Sequence, residues 1–184
     1  MQDLIIRDVR LEGSRPPGKE VLEVDANTPL DWPVLWTSSK SSLYRGDVCL
    51  KIMAHGFETR TGFLAGSRGN TLAVYSQGGA GVQFCKEGIT LGTLGKFSVL
   101  RGKVKKIEIY GCGAAYITPG CEGREGDGNV LCSRLAQTTQ SYVRASTATQ
   151  EYSPDGCDFG SWEGTVLTYA PTGAVVKVEQ SPDN

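Results

Sequence analysis

Histidine is almost missing from this chain: 184 residues contain one, His55. Any chemistry that needs imidazole therefore has a single address. A long hydrophobic run is also missing. No stretch approaches the ~18 apolar residues that a membrane-spanning helix requires. The first residues, Met1-Gln-Asp-Leu-Ile-Ile-Arg-Asp, lack the basic start and apolar core of a secretory signal. The expectation is a cytoplasmic protein with no membrane partner, with signal-independent export as the other route compatible with that start. An excess of one charge is absent too: 19 basic residues stand against 20 acidic ones, a net charge of −1. Nothing in that balance attracts nucleic acid or an anionic surface. The basic run Arg101 to Lys106 is local and reads as a solvated helix end or loop leading into a strand.

Cysteine is present but unpatterned. Cys49, Cys85, Cys112, Cys121, Cys132 and Cys157 contain no Cys-x-x-Cys pair, which argues against a zinc ribbon or a thioredoxin-like site. No metal and no cofactor is expected. A chain of this size has no need of a disulfide scaffold. Cys49, inside an apolar run, reads as a small core hydrophobe. The loop Gly120 to Gly128 precedes a helix but lacks the Gly-Lys-Ser/Thr ending of a phosphate loop. Trp32, Trp36 and Trp162 read as packing residues.

What is plentiful is glycine, 24 residues in turn-like clusters, which argues for shaped loops and against a helical bundle. Leu4 to Val9 and Val21 to Val24 read as short strands. Thr28 to Trp36 is rich in Pro and Trp and reads as irregular, and Thr37 to Ser42 as a polar loop. Val48 to Ala54 and Val104 to Tyr110 are strands, with a further short strand over Thr71 to Tyr75. Gly81 to Thr90 suggests a hairpin, and Leu91 to Leu100 a short amphipathic helix weakened by Gly92 and Gly95. Asn129 to Thr139 reads as a helix capped by Asp127 or Asn129. Ser141 to Ser146 is a strand, and Trp162 onward a strand-turn-strand. The alternation of strand and helix from 48 to 146 predicts one α/β domain with a mostly parallel sheet flanked by helices and a C-terminal strand pair.

Two of these strands end alike. Val48-Cys-Leu-Lys-Ile-Met-Ala stops at His55-Gly56, and Val104-Lys-Lys-Ile-Glu-Ile-Tyr stops at Gly111-Cys112-Gly113. Strands of an open parallel sheet deliver their carboxyl ends to a common crevice. An imidazole and a thiol brought together there make a base and a nucleophile. The glycines beside them let a substrate backbone approach, and the N–H groups of Gly56 and Cys112 are candidate oxyanion donors. Flanked by two glycines, Cys112 is expected to be accessible.

This pattern, an apolar run ending in His-Gly followed by one ending in a small residue and Cys, resembles the caspase-like (clan CD) cysteine peptidases. The closer similarity is to a bacterial caspase-like domain found near the start of large surface and adhesin-type proteins, and it covers roughly residues 48 to 170. The resemblance implies a caspase-like α/β fold and a hydrolase acting on a protein or peptide substrate. It implies Cys112 as nucleophile, His55 as general base and acid, and the Gly56 and Cys112 amides as oxyanion hole. Relatives often read a charged side chain through an oppositely charged pocket. Asp127 and Asp158, with Glu151 and Asp155, are loop acids available for one; ordinary solvated loop charge is the competing account. A catalytically inactive interaction or effector module of the same fold is the alternative function, and a small-ligand or nucleotide-binding domain a third.

Overall fold

The strand-like runs found in the sequence become strands of a mostly parallel sheet, with alternate residues buried under helices. The structure is a computed structural model describing residues 1–18, 20–57, 78–150 and 161–180. In chain order the elements are β1 (Gln2–Asp8), β2 (Val21–Val24), α1 (Asp31–Leu43), β3 (Val48–Met53), β4 (His55–Phe57) and β5 (Gly81–Gln83). A 3₁₀ helix (Leu94–Leu100), β6 (Lys106–Tyr110), α2 (Gly128–Thr139), β7 (Tyr142–Ser146), β8 (Thr165–Tyr169) and β9 (Val175–Gln180) follow. One sheet runs β2-β1-β3-β6-β7-β8-β9, parallel through β7, with β8 and β9 antiparallel at its end. The protein is α/β, with a mostly parallel sheet flanked by helices and a C-terminal antiparallel pair.

The three helices share one face of this sheet. Val34 of α1, Phe97 and Leu100 of the 3₁₀ helix, and Leu131 and Leu135 of α2 pack in one core with Leu4, Ile6, Leu50, Ile52, Ile107, Ile109, Val143 and Ala145. These strand residues alternate along their chains and so point the same way. The opposite face carries a smaller cluster of Ile5, Leu11, Met53, Tyr110, Trp162 and Val166, with no helix residue in it.

Helix α1 replaces the loop expected over Thr37 to Ser42. Its buried side is Pro33, Val34, Thr37, Ser38 and Ser41, a helical spacing occupied mostly by hydroxyls. Two of these hydroxyls bond within the fold: Thr37 Oγ1 donates to the Pro33 carbonyl at 2.8 Å, and Ser38 Oγ accepts from Lys103 Nζ at 2.7 Å, while Ser41 Oγ has no partner among the described residues. Pro33 sits in the first turn, where its missing N–H costs nothing.

A 3₁₀ helix also takes the place of the amphipathic α-helix expected at 91 to 100. Its buried Leu94, Phe97 and Leu100 recur every third residue, which matches the 3₁₀ repeat rather than 3.6. Helix α2 begins at the expected cap: Asp127 accepts from Asn129 N at 2.9 Å and Val130 N at 3.2 Å. The basic run 101–106 is a turn entering β6. The hairpin expected over Gly81 to Thr90 closes through a Val82–Ile89 bridge, and its first strand, β5, pairs with β4. The strand expected at Thr71 to Tyr75 lies outside the described residues.

Candidate functional site

The order of the strands decides where the crevice falls. From β1 the chain turns to β2 on one side, while β3 lies on the other and leads on to β6. The loops leaving β1 and β3 thus diverge, and the carboxyl ends beside this switch point are where open parallel sheets place their ligand sites. Register places the two sequence-identified residues at that rim. The last ladder pair of β3 and β6 is Met53 with Tyr110, and His55 and Cys112 each stand two residues past it. The Ala54 N–H still donates to the Tyr110 carbonyl at 3.2 Å, so the two strands remain zipped up to the site.

His55 is not the last residue of β3, as the sequence suggested, but the first of β4, opposite Gln83 of β5. That short antiparallel pair lifts the chain off the rim and lays it against Cys112. At Gly56 an added Cβ would fall 1.7 Å from the Cys112 carbonyl oxygen, and at Gly78 2.4 Å from it. Only glycine permits this approach. Gly113 adopts φ +52°, donates to the Ala148 carbonyl at 2.7 Å, and accepts from Gly79 N at 2.9 Å. Among the described residues the Cys112 N–H meets no acceptor.

Both candidate side chains rest on main-chain carbonyls. His55 Nε2 contacts the Arg10 carbonyl, just past β1, at 3.2 Å. A carbonyl only accepts, so Nε2 is the donor in this contact, and in the neutral ring that tautomer leaves the lone pair on Nδ1. Cys112 Sγ donates to the Gln150 carbonyl, past β7, at 3.7 Å. Imidazole and thiol thus lean to opposite neighbours along the rim and are not hydrogen-bonded to each other. Cys112 is 8% exposed, less open than its two flanking glycines suggested, because the main chain at Gly56 and Gly78 closes on it.

The other described cysteines are unpaired. Burial pushes the Cys49 thiol up to about 12, with the Glu108 and Asp3 charges adding to it; burial does the same to Cys132, reinforced by Asp127. Burial, with the charge of Asp8, raises Cys85 as well. All three stay protonated and unreactive near neutrality.

Asp127, considered for a substrate pocket, is spent inside the fold. Its carboxylate caps α2 and accepts from Gly123 N at 2.7 Å, and it is 6% exposed. It is a helix cap, not a free pocket acid. Asp158, Glu151, Asp155 and Cys157 lie outside the described residues. No cluster of three metal-ligating side chains occurs among the described residues. No helix there is long and apolar enough to cross a membrane.

A cavity of about 740 Å3 opens at the opposite, amino-terminal end of the strands, lined by Arg45, Lys105, Lys106, Arg144 and Lys177 among others. Most of its cations are already paired: Lys105 with Asp47, Lys106 with Glu108, and Arg144 and Lys177 with Glu179. The cavity is remote from the His55–Cys112 rim.

No family model, curated protein or solved structure matches this chain. The site is therefore read from its own geometry. Sequence reasoning named His55 and Cys112, which the fold sets past neighbouring strands, and did not name Asp8 and Arg10. Asp8 closes the apolar run Leu4-Ile-Ile-Arg-Asp8 as His55 and Cys112 close theirs, so the strand-end signal was there to be used.

Proposed function

We propose that this protein is a cysteine peptidase of caspase-like type, cleaving peptide bonds with Cys112 as nucleophile and His55 as general base and acid. One observation carries the reading. The only histidine of the chain and a glycine-flanked cysteine occupy equivalent positions past neighbouring parallel strands, at the rim where the sheet opens a crevice. The His55 tautomer suits the role, since a proton held on Nε2 leaves Nδ1 to take another.

In the resting arrangement the thiol bonds to the Gln150 carbonyl; rotation about its Cα–Cβ bond releases it. Sulfur gives its proton to Nδ1 and attacks the substrate carbonyl carbon, whose oxygen becomes anionic. The Cys112 N–H, which meets no acceptor among the described residues, receives that charge with that of Gly56; a donor of this kind is worth about 10²–10³ in rate. Collapse breaks the C–N bond, and the imidazolium returns its proton to the leaving amine. Water, deprotonated by the same nitrogen, then hydrolyses the thioester and restores the thiol. A protein or peptide is the substrate, and no cofactor takes part.

A catalytically silent module of the same fold is the second reading. It is favoured by one specific observation, the separate carbonyl partners of His55 and Cys112. Profiling against a mixed peptide library separates the two. Cleavage by the wild type that disappears in Cys112→Ala establishes the peptidase; a wild type whose digest equals that of Cys112→Ala establishes the module.

A further inference from the structure

Behind His55 stands an ion pair with a buried carboxylate and a partly exposed guanidinium, which the proposed reaction does not use directly. Asp8, the last residue of β1, is 0% exposed. Its carboxylate accepts four hydrogen bonds: from Arg10 N at 3.1 Å, Arg10 Nε at 2.7 Å, Arg10 Nη2 at 2.6 Å and Cys85 N at 2.9 Å. Arg10 Nη2 also donates to the Cys85 carbonyl at 2.8 Å. Asp8 and Arg10 thus hold both main-chain polar groups of Cys85, a residue at φ +56° just past β5. Strand β5 in turn pairs with the strand that begins at His55.

The loop is gripped from the other side as well. Arg7, 6% exposed, donates to the carbonyls of Leu11 and Gly13. Between these two grips lies the Arg10 carbonyl, which accepts the hydrogen bond from His55 Nε2. A buried charge pair contributes little to stability compared with an apolar core of the same shape, because desolvation offsets the attraction. What this pair supplies that an apolar plug would not is a fixed main-chain acceptor at one point in space.

We propose that Asp8, acting through Arg10, is a positioning residue for His55: it fixes the carbonyl that selects the Nε2–H tautomer and keeps Nδ1 as the basic nitrogen. Its catalytic consequence rests on the peptidase reading; its structural content does not. A single carboxylate orders the ends of β1 and β5 and the ring between them. Loss of the Arg10 guanidinium frees the carbonyl without removing it.

Because the chain has one histidine, its ring nitrogens are identified in a ¹⁵N spectrum without assignment. The measurement is made above the ordinary imidazole range, about 6.5. The wild type should show one tautomer, protonated at Nε2. In Arg10→Met, which keeps the carbonyl, and in Asp8→Asn, both tautomers should be populated and the two nitrogen shifts should converge. Turnover should fall about 10²-fold with KM little changed, as for a displaced catalytic group. Arg10→Lys should recover part of both. Should Asp8→Asn fail to fold, Arg10→Met, whose side chain is 25% exposed in the wild type, carries the test. A folded Arg10→Met that keeps the pure Nε2–H tautomer overturns the proposal. A wild type that cleaves nothing removes the peptidase reading alone, and the tautomer comparison still decides whether Asp8 and Arg10 place the ring.

Discussion

The two faces of the sheet solve the same burial problem with different chemistry. Under the helices, the strands present Leu50, Ile52, Ile107 and Ile109, each at most 1% exposed. On the other face the same strands present Lys51, Lys106 and Glu108, with Arg144 and Glu179 continuing the row across β7 and β9. Near the functional rim this charged row gives way to aromatic packing. Tyr110 stacks on Trp162 at 4.3 Å between centroids, with the Arg144 guanidinium 5.1 Å from the Trp162 ring. One face is held by area removed from water, the other by compensated charge, and the two respond to different perturbations.

The largest expected effect is on the helical face. Leu50→Ala removes a fully buried side chain between α1 and the central strands and should cost about 2–5 kcal/mol in urea unfolding, with little dependence on pH. On the opposite face, Glu108→Gln should cost about 1–3 kcal/mol at neutral pH. Burial by itself would raise the Glu108 carboxyl, but the Lys106 ammonium, the Tyr110 hydroxyl and the Lys51 charge together hold it below the usual carboxylate range. A carboxyl depressed by folding adds stability above its unfolded value, about 4.3, and loses it as pH falls through the folded value. The wild type should therefore lose stability more steeply in acid than Glu108→Gln, and equal slopes would show that the charged face does not carry this stability. The smallest effect reverses sign. Ser41 Oγ is buried on the helical face with no partner, so Ser41→Ala should raise the unfolding free energy by about 1 kcal/mol.

The same contrast explains what could be read in advance. Strands β3 and β6 were legible because their helix-facing residues Leu50, Ile52, Ile107 and Ile109 recur at every second position, and the candidate site was named because those strands lead into His55 and Cys112. Helix α1 was hidden because Thr37, Ser38 and Ser41 make its buried face look like a loop; their hydroxyls are accommodated largely by partners that only the folded chain supplies. The 3₁₀ helix was read as α because a three-residue repeat and a 3.6-residue repeat coincide over so short a span. The Asp8 clamp was legible only by half. Its place at the end of an apolar run was open to reading, but its partner Cys85 lies 77 residues away and no local pattern announces that pairing. Asp127 was read both ways, and of the two the helix cap is the role its hydrogen bonds show.

The pairing of His55 with Cys112 as one reactive centre is tested most directly by mapping the adduct of a thiol-directed peptide electrophile near neutral pH. The adduct should sit on Cys112, vanish in Cys112→Ala and form far more slowly in His55→Ala, while buried Cys49, Cys85 and Cys132 stay unmodified. Equal labelling of the wild type and Cys112→Ala would contradict the peptidase reading and leave only the fold.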